Sequence, residues 1–166
     1  MKQRIAVSAL SLSAGALIAL AVDEGYTGKA IIPTKGDVPT IGFGTTQGVK
    51  MGDTTTPVAA LQRMGRDITV FEGALRRCVK SPLYQIEYDT YLNHSYNIGS
   101  TGFCSSSIVR ELNNQNYVKA CGHIKDWRYI TLPNKIKYDC STPGNKICWG
   151  LWERRLKDYN TCMSVQ

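Results

Sequence analysis

The chain has 166 residues, 43% hydrophobic and 20% charged, with 15 Gly and 6 Pro. Such a length and balance suit one domain, or one domain in two lobes, and exclude a disordered or collagen-like chain. The formal net charge of +7 favours an anionic partner: nucleic acid, anionic lipid or an acidic wall polymer.

Lys2 and Arg4 precede Ile5–Val22, a run of 18 residues without a charge, and Asp23 and Glu24 close it. A helix of that length reaches about 27 Å, close to the thickness of a bilayer's hydrocarbon layer. Eight of the 18 residues are Leu, Ile or Val and ten are Ala, Ser or Gly. The run is therefore long enough to cross a bilayer but weakly committed to it. Cations before it and acids after it orient the N-terminus inside. An uncleaved signal anchor is the preferred reading. A signal peptide cleaved after Ala19-Leu20-Ala21 is the second. A buried core helix is the third, and the run lacks the polar face such a helix needs.

The first two readings export Gly25–Gln166. The six cysteines (Cys78, Cys104, Cys121, Cys140, Cys148 and Cys162) then read as up to three disulfides. They contain no CxxC pair and only two His accompany them, which argues against a zinc site. Sequence does not select the pairing. The turn-rich Ser141–Asn145 stretch suits a local Cys140–Cys148 bond.

Lys29–Ile32 and Val38–Phe43 are strand candidates joined by a turn at Thr34–Asp37, with Pro39 pointing to an edge. Thr56-Pro57 is a helix start, an N-cap followed by proline at the first helical position. Leu61, Met64, Ile68, Phe71 and Leu75 then form one apolar helical face of about 20 residues. Arg63, Arg66, Asp67, Arg76 and Arg77 read as its solvated face. Further helices are expected at Leu83–Ile98, Ser107–Asn113, Tyr117–Trp127 and Trp149–Met163. The class is α+β and mostly helical, with a small β-hairpin lobe and a helical bundle.

Glu24 opens the chemically informative region. A carboxyl at the end of an apolar helix, facing a β-hairpin across a cleft, suits a general acid, because burial raises its proton affinity toward neutral pH. Alternatively, Asp23 and Glu24 merely end the apolar run.

Four stretches carry a resemblance: Glu24-Gly-Tyr; Pro39-Thr-Ile-Gly-Phe-Gly44; Tyr96-Asn-Ile-Gly99 with Ser105–Asn113; and Gly150-Leu-Trp-Glu-Arg-Arg155. Together, and in this order, they resemble the phage-type lysozymes (glycoside hydrolase family 24), specifically the signal-anchor-release endolysins. The resemblance implies a lysozyme-like two-lobed fold, with residues 1–22 a releasable anchor and 23–166 the catalytic domain. It makes Glu24 the catalytic acid and Thr40 the family's threonine. The family's Asp, nine residues after its acid, is here Pro33, and six residues before Thr40 lies Thr34. Asp37 is the nearest carboxylate, either a replacement or a cap of its turn. The family's His after the second Gly is here Thr45. Tyr96 and Asn97 match the stretch that lines the glycan cleft, or else simply pack and cap their helix. Arg154 and Arg155 look structural, and His94 reads as a packed or surface histidine.

The implied substrate is peptidoglycan, cut at the β-1,4 bond between N-acetylmuramic acid and N-acetylglucosamine, by a monomer with no metal or cofactor. The missing Asp keeps open a lytic transglycosylase that gives 1,6-anhydro ends. A membrane-anchored glycan-binding module without catalysis is a rival from another class. A nucleic-acid binder is disfavoured, since no binding motif appears and export removes it from its ligand. The implied location is the host inner membrane, through residues 5–22, and then the periplasm. No cysteine lies in the anchor, so release by exchange with an anchor thiol is excluded. Loss of membrane potential is the release trigger the resemblance implies.

Overall fold

A computed structural model describes residues 3–33 and 36–166. Lys2 and Thr34 lie outside the described residues. The chain forms two compact units, Leu12–Gly73 and Met1–Ser11 with Ala74–Gln166.

The apolar run Ile5–Val22 is not one continuous helix. Ile5 exchanges two backbone hydrogen bonds of 2.9 Å with Leu83, and Val7–Ala9 makes one three-ten turn. Helix α1 starts only at Ala14 and ends at Glu24. The serines explain the break: Ser13 Oγ accepts the Ala16 N–H at 3.2 Å, capping α1 rather than letting a helix run through. The Leu12 N–H goes to Glu72 Oε1 at 2.7 Å instead. Among the described residues, no helix is long and apolar enough to cross a membrane.

In the Leu12–Gly73 unit, strand β1 (Thr27–Ile31) pairs antiparallel with β2 (Thr40–Gly42). Strand β1 starts two residues before the expected Lys29 and ends at Ile31, whereas β2 covers only the middle of the expected Val38–Phe43, and the register is interrupted between Thr27 and Ile31. Ala30, Ile41 and Val49 form a small core. Helix α2 (Pro57–Cys78) begins as expected, with Thr56 Oγ1 accepting the Ala59 N–H at 3.3 Å. Of its predicted apolar face, Met64, Ile68 and Leu75 are buried, whereas Leu61 is exposed.

The larger unit is built on α3 (Gln85–Ile98), α4 (Ser100–Cys104), α5 (Ser107–Asn113), α6 (Tyr117–His123) and α7 (Trp149–Met163). Helix α3 packs on α7, and α5 on α6. Tyr88, Tyr91, Leu92, Phe103, Ile108, Leu112, Ala120 and Ile124 are its buried core. The α3 start carries a reciprocal cap in which the Tyr84 N–H donates to Glu87 Oε2 at 2.8 Å. The sequence reading continues one helix to Trp127. Here α6 tightens into a three-ten turn at Ile124–Trp127. A second hairpin, β3 (Tyr129–Thr131) with β4 (Lys137–Asp139), has no counterpart among the expected elements. The strands have only three residues each, too few to show alternation.

All six cysteines pair: Cys78–Cys104, Cys121–Cys162 and Cys140–Cys148. The local bond is the one expected across the Ser141–Asn145 turn. All three lie in the larger unit.

Candidate active site

Glu24 is the last residue of α1, and the chain reverses at once. Gly25 adopts φ +70°, its N–H bonding to the Ala21 carbonyl at 3.1 Å, and β1 follows. The Glu24 side chain is half-buried. It lies against the tight turn after β2, where Ile41 and Thr45 exchange backbone hydrogen bonds of 2.9 and 3.1 Å. Within that turn Gly44 has φ +76°, and a Cβ built there would stand 2.9 Å from Glu24 Oε2. Only glycine both adopts this backbone and leaves room for the carboxyl. The Tyr26 and Phe43 rings flank the same reversal, 5.4 Å apart, and the Tyr26 hydroxyl donates to the Thr55 carbonyl at 3.0 Å.

Thr45 is buried, and its hydroxyl donates to Asp67 Oδ2 at 3.1 Å. Asp67 therefore fastens the turn to α2 rather than belonging to a purely solvated face. Arg63, also counted on that face, donates to the Gln47 carbonyl. Helical spacing alone gave no signal for either role.

Thr40 opens β2 opposite Ile31, and its hydroxyl donates to the Val38 carbonyl at 3.2 Å. Asp37 is exposed in the loop between the strands.

In the larger unit, Tyr96 is half-buried and Asn97 exposed near the end of α3. Asn97 does not cap that helix. Its amide oxygen instead accepts a hydrogen bond from Arg155 Nη2. Arg155 is fully buried and joins several segments. Its Nε donates to the Trp127 carbonyl at 3.1 Å, and Nη1 donates to His94 Nδ1 at 3.0 Å and Asp158 Oδ2 at 3.2 Å. His94 is thus a packed histidine, standing edge-on to Trp127 with ring centres 6.1 Å apart. Burial holds its pKa below the usual imidazole range, against the raising effect of Asp158 and with the Arg155 charge acting in the same direction as burial. The Nδ1 accepts from a cation, so the ring is neutral and carries its proton on Nε2.

Trp127 also lines an open cavity of about 570 Å³ with Ser105, Ser107, His123, Tyr129 and Lys137. His123 Nδ1 stands 2.6 Å from Asp126 Oδ2 at its rim. The sequence reading singled out neither His123 nor Trp127 as a functional group. Among the described residues no cluster of His, Cys, Asp and Glu is arranged to hold a metal ion.

An acid on a helix end beside a glycine turn, a short hairpin and a disulfide-stapled helical unit define a lysozyme-like α+β protein. The Phage lysozyme family model matches residues 22–158, and the chain belongs to that family, a glycoside hydrolase of the muramidase kind. It is 31% identical over 124 residues to an endolysin of Salmonella phage P22, covering 72% of this chain and 84% of that one. It is 32% identical over 163 residues to a SAR-endolysin of Pseudomonas phage phiKMV, covering 98% of this chain and 93% of that one. Among solved structures, an endolysin from Escherichia coli O157:H7 phage FAHEc1 superposes with a TM-score of 0.81 at 28% identity. That match covers 95% of this chain and 96% of the other.

Proposed function

We propose that this chain is a phage endolysin that degrades host peptidoglycan, cleaving the β-1,4 bond between N-acetylmuramic acid and N-acetylglucosamine with Glu24 as general acid. The observation that carries the reading is the seat of Glu24: the only carboxyl of a family-matching Glu-Gly-Tyr, pressed against the Gly42-Phe43-Gly44 turn. Glu24 would give its proton to the leaving glycosidic oxygen as the anomeric bond breaks. An inverting hydrolase then needs a base about 6.5–9.5 Å away to activate water. Asp37 and the Thr40 hydroxyl are the groups of the hairpin available for that water. Tyr96 and Asn97 would bind the glycan. The cavity at Trp127, with its hydroxyls, imidazole and aromatic rings, offers the mixed lining that suits the polymer's polar and apolar faces.

One observation favours a second outcome from the same Glu. Pro33 stands where the family has Asp, and Asp37 is exposed in its loop. With no second carboxylate, Glu24, left as a carboxylate after protonating the leaving oxygen, takes the proton of the muramic acid's own 6-hydroxyl as that oxygen attacks the anomeric carbon and closes a 1,6-anhydro ring. Mass spectrometry of purified peptidoglycan digested by wild type, Glu24→Gln and Asp37→Asn separates the cases. Reducing muramic ends lost in both variants establish the hydrolase with Asp37 as second carboxylate. Anhydro ends lost only with Glu24→Gln establish the transglycosylase. A wild type that releases no fragments overturns the enzymatic reading of Glu24 in favour of a glycan-binding module.

In this reading residues 1–22 are a releasable anchor, first in the host inner membrane with the N-terminus inside, and residues 23–166 are a monomeric catalytic domain freed into the periplasm. Helix α1 supports it. Of its 11 residues only Leu20 is fully buried, while Ile18 and Val22 remain 65% and 73% exposed. That helix is more apolar than its packing requires, as expected of a segment that also serves in lipid.

A further inference from the structure

Arg4 occupies a built site. Its Nε donates to Glu87 Oε2 at 3.0 Å and its Nη2 to Glu87 Oε1 at 2.8 Å. The guanidinium is stacked by two rings, with its carbon 4.2 Å from the Tyr84 ring centre and 3.6 Å from that of Tyr117. Glu87 is fully buried, and also accepts from the Tyr84 N–H and from Gln166 Nε2, each at 2.8 Å. Gln166 Oε1 in turn accepts from Arg4 Nη2 at 2.8 Å. The segment that follows Arg4 is received as well. Ile5 bridges to Leu83, Val7 and Leu10 are buried, Arg76 donates to the Leu10 carbonyl, and Gln85 donates to the Ser11 carbonyl. Residues 4–11 thus meet charge, aromatic faces, backbone and apolar surface on one unit.

We infer that this is a receptor site for the chain's own N-terminal segment, and that the Arg4–Glu87 clasp is a latch closed only after the anchor leaves the membrane. The inference rests on the anchor reading above. While Ile5–Val22 spans the bilayer, Arg4 lies on one side of about 30 Å of hydrocarbon and Glu87 on the other. The pair cannot form there, and Glu87 is left without its cation. On release, the cation that oriented the anchor docks against that carboxylate and closes the site behind it. Removing a charge partner from a buried carboxylate is costly, so the latch favours the released fold without opposing insertion. Arginine rather than lysine fits both duties. Either cation orients an anchor, but only the planar guanidinium bonds a carboxylate at two points while stacking between rings.

The test uses the full chain expressed in bacterial cells, with Arg4→Lys, which keeps the orienting charge, and Glu87→Gln, which leaves the anchor untouched. Membrane and periplasmic fractions are compared before and after an uncoupler collapses the membrane potential. Protease resistance is read in both states. The expected result is an equal membrane fraction before the uncoupler, then a ratio of released to membrane-bound chain about tenfold smaller in either variant. Arg4→Lys lowers protease resistance of the released form only, and the double variant is no worse than the poorer single one. Equal loss of resistance in both states would reduce the pair to an ordinary structural contact and overturn the latch. Release and resistance like wild type would overturn it too. A wild type found only in the soluble fraction before the uncoupler would sink the anchor reading, and the latch with it. If Glu87→Gln does not fold, Arg4→Lys decides alone, because position 4 is partly exposed and its charge is kept.

Discussion

The two units of this chain are held together by different means. The larger one carries all three disulfides, a fully buried arginine bonded to four groups, and most of the fully buried aromatic and aliphatic side chains. The smaller one, Leu12–Gly73, has no disulfide, a core of Leu20, Ile41, Met64, Ile68 and smaller side chains, two short strands, and a helix α1 on which Ile18 and Val22 are exposed. Its acid is placed by backbone geometry: a helix end, a reversal at Gly25, and a turn whose Gly44 leaves space for one carboxyl. The lesson is a division of labour. The covalent and buried-charge reinforcement lies in one unit, while Glu24 sits in the other, which begins inside the proposed membrane segment.

The largest effect should come from the lightly built unit. Glu24→Gln keeps the shape of the side chain and removes its proton. Peptidoglycan turnover is expected to fall by about 10²–10⁴, with an unchanged melting temperature. A parallel loss of melting temperature would mean that Glu24 supports the fold rather than the chemistry. The next effect belongs to the other unit. The Cys121–Cys162 bond closes a loop of 41 residues, for which chain entropy gives about 4 kcal/mol. Replacing both cysteines with Ala should lower stability by that order in a denaturant titration. A loss below about 1 kcal/mol would show that buried packing, not covalent closure, carries this unit. Gly44→Ala comes third. The new methyl meets Glu24 Oε2 and adopts a strained backbone, at a cost of about 1–3 kcal/mol. Turnover should drop at least about tenfold, more than the same loss of stability causes elsewhere. A variant with normal turnover would show that the turn does not seat the carboxyl.

The same contrast explains what could be read from the sequence. Helix α2 was legible because Thr56-Pro57 marks its start and a long apolar repeat follows. Helices α5 and α7 were expected at the bounds observed, and the local Cys140–Cys148 bond followed from its turn. Glu24 and Thr40 were singled out through the ordered family motifs, and Glu24 lies against the Gly44 turn. What escaped were long-range partners that leave no periodic trace. Arg155 meets Asn97 and His94 from about 60 residues away, and Arg4 meets Glu87 across 83 residues. Of the residues counted as a solvated helix face, Asp67 holds the glycine turn through Thr45, and Arg63 bonds the Gln47 carbonyl. The apolar run Ile5–Val22 read as one spanning helix because hydropathy counts residues and not caps. Ser13 and the bridge at Ile5 divide it in this fold.

The smallest predicted effect probes how the larger unit keeps its buried charge. His94 is fully buried, and burial lowers its proton affinity below that of an unfolded chain. The sign follows directly. Below the ordinary imidazole pKa of about 6.5 the unfolded chain takes up a proton that the folded chain refuses. Stability is therefore retained above that value and lost as pH falls through it. Denaturant titrations at pH 7 and pH 5 should show a decline, and a His94→Gln variant should decline less over the same interval. The variant starts lower at pH 7, because Gln must replace Nδ1 as the acceptor for Arg155, so the slope and not the absolute stability is the measure. A wild type with equal stability at both pH values would mean that the folded protein admits the proton. Asp158 Oδ2, 3.6 Å from His94 Nδ1, would then be its partner, with Arg155 displaced. The first outcome makes the buried cluster a fixed brace in which one arginine holds Asn97 and the Trp127 wall together. The second makes it a site that rearranges with acid, and the contrast between a braced unit and a lightly held one would have to be redrawn at low pH.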